Sequence, residues 1–74
     1  MNKEYAVVYE WGEENWSAFA PDVPGCAAVG DTLEECKRNF QEALAFHLRG
    51  LQEDGLPIPQ PTTEVGRVQV QVAA

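Results

Sequence analysis

The chain has 74 residues, with twelve Asp plus Glu against five Lys plus Arg and a formal net charge of −7. That length suits one domain, residues 1–74, without room for a separate nucleic-acid module, and the acidic balance lacks the cationic clusters that phosphate backbones require. Two cysteines outside any C-x-x-C pattern and a single histidine fall short of a disulfide scaffold or a zinc site, and no leader or long apolar run is present, so a cytoplasmic protein with no metal, cofactor, membrane or direct nucleic-acid partner is expected.

From Lys3 to Trp11 the side chains alternate, with Tyr5, Val7, Tyr9 and Trp11 on one face, which predicts a strand. Gly12 to Asn15 is a polar connection of hairpin length, and Trp16 to Ala20 resumes an extended pattern. The two segments should therefore pair antiparallel. Trp11 and Trp16 flank the turn, placed to stack across it or to leave one of them, with Phe46, as an exposed anchor for another protein.

The stretch from Ala20 to Glu35 dictates its route by local chemistry. Pro24 presets φ for the first central position of a β-turn and Gly25 accepts a positive φ at the second, as a type II turn requires. A short third strand, Cys26 to Val29, follows. Gly30 supplies another conformationally permissive position, and Thr32 with Glu35 has the spacing of a capping box, in which the Glu35 carboxylate returns to the Thr32 N–H. Asp31, Glu34 and Glu35 then meet the positive end of the helix dipole.

A helix is predicted from Leu33 to about Glu53, with Leu33, Cys36, Phe40, Leu44, His47, Leu48 and Leu51 on one face. Phe46 lies well off that stripe. Gly55 is the expected left-handed stop, and Pro57, Pro59 and Pro61 make the exit an extended, polyproline-like link. From Val65 to Val72, valines at 68, 70 and 72 alternate with Arg67, Gln69 and Gln71, predicting a final strand. The element order is β-β-β-α-β: an α+β fold with a small, mainly antiparallel sheet and one helix packed on one face.

Three motifs in this order carry a resemblance. Pro21-Asp22-Val23-Pro24-Gly25-Cys26, then Gly30-Asp31-Thr32-Leu33-Glu34-Glu35, then Gly55-Leu56-Pro57-Ile58-Pro59 after the helix together resemble the HicB-like antitoxins of bacterial toxin-antitoxin pairs, over Tyr5 to about Val72. The resemblance implies a HicB-like fold, akin to a partial RNase H or double-stranded-RNA-binding domain. It also implies a partner: a small basic HicA-type toxin, an mRNA-cutting ribonuclease whose catalytic histidine the antitoxin covers. Members often continue into a helix-turn-helix or ribbon-helix-helix segment that binds DNA. The sequence ends at Ala74 without one, so a stand-alone domain is expected.

No catalytic constellation is recognisable. His47 lies on the apolar helix face without a nucleophile or orienting group beside it in sequence, and the carboxylates of Asp22, Asp31, Glu34 and Glu35 have turn and capping duties rather than a shared metal. The chain is thus expected to be no enzyme. Trp16, Asp22, Glu34, Glu35 and Phe46 are the candidate partner contacts, and a homodimer or higher homo-oligomer is expected because so small a core commonly needs support. The alternative is a homo-oligomeric interaction module with no toxin to bind.

Overall fold

The computed structural model describes residues 2–73. Three strands, β1 (Val8–Trp11), β2 (Trp16–Phe19) and β3 (Ala27–Gly30), form an antiparallel meander in that order, and one helix, α1 (Leu33–Glu53), crosses it. Tyr9 pairs with Ala18 and Ala18 with Ala28, while Trp11 pairs with Trp16 and Trp16 with Gly30. Because side chains alternate across a sheet, these rows share the face beneath the helix. The opposite rows, Val8–Phe19–Ala27 and Glu10–Ser17–Val29, share the face that no helix covers. Ladder pairing begins at Val8 rather than Lys3. Tyr5 and Val7 pack against the core without hydrogen-bonded strand neighbours, so alternation there marks burial and not pairing.

The hairpin closes through Gly12 N–H donating to the Asn15 carbonyl at 2.8 Å, with Glu13 at φ 75°, a left-handed backbone that few residues other than glycine adopt. Between β2 and β3, Val23 N–H donates to the Ala20 carbonyl at 3.1 Å, and Gly25 has φ 86°, as the Pro24-Gly25 turn requires. Helix α1 starts with Thr32 Oγ1 accepting from Glu35 N–H at 3.1 Å. The return bond differs from expectation: Glu35 Oε1 accepts from Asp31 N–H at 2.9 Å, one residue before the N-cap. The helix stops at a Schellman motif, with Leu56 N–H donating to the Leu51 carbonyl, Gly55 N–H to the Gln52 carbonyl, and Gly55 at φ 70°.

The core consists of Ala18, Ala20, Val23, Cys26, Cys36 and Phe40. Its small side chains bring α1 close to the sheet, chiefly over β3 and less over β2. Gly30 is the contact point, and its role differs from the expected one. Its φ is not positive; a Cβ there would lie 2.5 Å from the Cys36 backbone nitrogen and 2.8 Å from its Cα. Space, not conformational freedom, excludes a side chain.

After the helix, residues 55–73 form an arm without helix or strand. The strand predicted over Val65 to Val72 is not formed within the single chain. The valine alternation is present, but a strand needs a ladder partner, and none of the described strands pairs with this segment. Val65, Val68, Val70 and Val72 are all exposed.

Candidate functional site

The candidate contact residues divide by what already engages them. Asp22 follows Pro21 in the turn after β2, and its carboxylate accepts four hydrogen bonds from the arm. Oδ2 takes the N–H groups of Thr62 and Thr63, each at 2.9 Å. Oδ1 takes their hydroxyls at 3.1 and 2.8 Å. These bonds, those from Thr63 first, hold the Asp22 carboxyl below its ordinary pKa, since donors aimed at a carboxylate favour its charged form. Asp22 therefore clasps body to arm across forty residues of sequence. Two further bonds assist: the Tyr5 hydroxyl donates to the Pro59 carbonyl at 2.6 Å, and Lys3 Nζ to Gln60 Oε1 at 3.5 Å. Burial, and then the Asp22 charge, push the Tyr5 hydroxyl pKa up.

Glu35 is held in the helix cap, whereas Glu34 is exposed in the first helical turn. Trp16 stacks on Trp11, the ring centroids 5.6 Å apart and tilted by 55°, within the range where aromatic pairs attract. Trp16 also packs against the core, while Trp11 is 53% exposed. The pair thus stacks across the hairpin, and the ring left in water is Trp11, not the candidate Trp16.

Phe46 is 74% exposed. It borders an open groove of about 460 Å³ with Gly25, Cys26, Ala27, His47 and Gly50, between the end of the helix and the turn into β3. An aromatic ring in water beside a concave, partly apolar surface is the arrangement of a binding anchor. A second apolar area lies on the uncovered sheet face, where Phe19 is 42% and Val29 56% exposed. Sequence reasoning missed both Phe19 and Val29, since a short strand does not state which of its faces the helix will cover. It also missed Thr62 and Thr63; a Thr-Thr pair directly after Pro61 is a signal only if the partner carboxylate is known.

Around these patches the surface is acidic. Glu10, Glu13 and Glu14 cluster at the hairpin, and Glu42, Glu53 and Asp54 are exposed on or after the helix. Lys37 Nζ lies 5.8 Å from the centre of the Tyr9 ring. Both cysteines are free and buried, and burial raises the pKa of the Cys26 thiol. Among the described residues no three His, Cys, Asp or Glu side chains are grouped to hold a metal ion. None of the described helices is long and apolar enough to cross a membrane. The arrangement is suited to recognition through a few apolar anchors in an acidic field.

Comparison with known proteins agrees. Residues 5–72 match the model for the HicB-like antitoxin of bacterial toxin-antitoxin systems. Antitoxin HicB 2 of Photorhabdus laumondii is 37% identical over 73 residues, covering 99% of this chain and 52% of that protein. An uncharacterized 14.9 kDa protein of Haemophilus phage HP1 is 39% identical over 56 residues, covering 76% of this chain and 42% of its own length. The chain thus spans about half the length of these relatives. Among solved structures, a chain of a HicA3 and HicB3 toxin-antitoxin complex superposes with a TM-score of 0.70 at 30% identity, covering 81% of this chain and 70% of that one.

Proposed function

Because the chain belongs to the HicB-like antitoxins of bacterial toxin-antitoxin systems, we propose that it binds a small, basic, RNA-cutting toxin of the HicA type and silences it by covering the catalytic groove. The single observation that carries this reading is the likeness, at 30% identity and a TM-score of 0.70, to a chain taken from a toxin-antitoxin complex. Physical chemistry supports it in sign. A toxin that holds RNA presents cations to phosphates, and a protein of net charge −7 is drawn to such a surface and competes there with RNA. Inhibition is by occlusion; the chain performs no chemistry and contacts no nucleic acid. It acts in the cytoplasm, where its two buried thiols stay reduced.

On this reading Phe46 is the apolar anchor and Glu34 the nearest candidate for a charged contact, since Asp22 and Glu35 already hold internal bonds. Trp16, half in the core, keeps the hairpin in shape for the partner. The test is co-expression with a small basic toxin of the HicA type. A one-to-one complex that abolishes RNA cleavage is expected, with capture weakened at least about tenfold by Phe46→Ala, as for an interface hot spot. A toxin that cleaves RNA undiminished in the presence of excess chain overturns the reading.

A further inference from the structure

The proposed toxin contact makes no use of the end of the arm. Val68, Val70 and Val72 are 87%, 69% and 82% exposed, at alternate positions in a segment without a strand partner. β-Branched residues at every second position suit a half-buried pleated surface, and these three have nothing to pack on. The segment Val68-Gln69-Val70-Gln71-Val72 also reads identically in both directions. Two copies placed antiparallel about a twofold axis at residue 70 set Val68 opposite Val72, Val70 opposite itself and Gln69 opposite Gln71. Valine then meets only valine, and glutamine only glutamine, on separate faces. An interface between identical subunits demands such self-complementarity; a foreign partner does not.

Charge points the same way. Every acidic residue lies at or before Glu64, and Arg67 is the only charged side chain beyond it. Two acidic bodies repel each other, but their tails meet without opposed carboxylates. The molecule is 54 Å along its greatest extent and 19 Å along its least, and the clasp at Asp22 fixes where the tail leaves the body. A groove lined by Val7, Val8, Leu33, Lys37 and Arg67 opens beside Val65 at that point of departure.

We infer that Val68–Val72 is a homodimerisation strand, two copies joining their tails as an antiparallel ribbon on a twofold axis through Val70. The inference is independent of the toxin reading, and its test uses this chain alone. Sedimentation equilibrium of the intact chain at high micromolar concentration should report a dimer. Val70→Lys sets two ammonium groups against each other on the axis and should raise the dimer Kd by about tenfold or more. The register is tested by a pair of double variants. Gln69→Lys with Gln71→Glu places opposite charges face to face twice and should leave the dimer intact. Gln69→Lys with Gln71→Lys places like charges there and should dissociate it. Because these residues lie outside the core, the helical circular dichroism of each variant should match the parent. Val70→Cys gives a second readout, a disulfide-linked dimer under mild oxidation, since the native thiols are buried. A monomeric parent chain overturns the inference, as does a dimer indifferent to Val70→Lys or equal behaviour of the two double variants.

Discussion

Replacing Gly30 by alanine puts a methyl group where the helix backbone already lies. The new Cβ would fall 2.5 Å from the Cys36 nitrogen, 2.8 Å from its Cα and 3.0 Å from the Glu35 carbonyl carbon. All three are backbone atoms and cannot swing aside, so the first turn of the helix must lift from β3. Forcing extra volume into a packed site costs about 1–3 kcal/mol. Gly50 supplies the control, because a Cβ there meets nothing within 4 Å and alanine is favoured over glycine inside a helix by about 1 kcal/mol. Both changes restrict the unfolded chain equally, so comparing the two isolates the folded state. Gly50→Ala should be more stable than Gly30→Ala by about 1–3 kcal/mol. For a chain this small that is a large share of a net stability of about 3–5 kcal/mol, and at about 4–8 °C per kcal/mol it is a wide gap in melting temperature. Thermal and urea unfolding followed by helical circular dichroism measures it. A Gly30→Ala variant as stable as the parent would refute the claim that the helix start rests directly on β3.

Three other outcomes are expected. The Asp22 carboxyl sits below its ordinary pKa of 3.8 when folded, so its stabilising effect is complete above that value and is lost as pH falls through the lowered folded value; a 13C titration should show the Thr62 and Thr63 amides shifting with it, and Asp22→Asn should speed their hydrogen exchange at neutral pH, unchanged exchange counting against the clasp. Glu13 holds φ 75°, a conformation costing a residue with a side chain about 1–2 kcal/mol, part of which glycine gives back through its freer unfolded state; Glu13→Gly should raise the melting temperature by a few degrees, and a fall would contradict the left-handed turn. Cys26 and Cys36 are buried and should resist Ellman's reagent until urea unfolds the chain, prompt labelling in buffer showing that the core is open.

What the sequence disclosed was whatever short-range chemistry decides. The Pro24-Gly25 turn, the Thr32 cap and the Gly55 stop each rest on backbone preferences of one or two residues, and all three stand where their residues placed them. Errors arose where a second element decides. Gly30 carries the same letter whether it serves a turn or makes room for a helix, and only the approach of Cys36 distinguishes the two. Glu35 reaches Asp31 instead of Thr32, a difference of one residue that cap spacing cannot resolve. Alternation at 68, 70 and 72 signals strand chemistry but says nothing of the neighbouring strand. In the candidate site, the exposure of Phe46 followed from its place off the helix stripe. The engagement of Asp22 by Thr62 and Thr63 was invisible, because it joins residues far apart in the chain.

That joining sets an order of events during synthesis. The meander and helix are complete in the first fifty-three residues, and a chain leaving the ribosome N-terminus first can fold them before Thr62 and Thr63 emerge. Until then the Asp22 carboxylate faces only water. The arm is therefore the last part to dock, and a truncated product ending before Thr62 would keep its helix and the Tyr5–Pro59 bond yet lose all four donors to the Asp22 carboxylate.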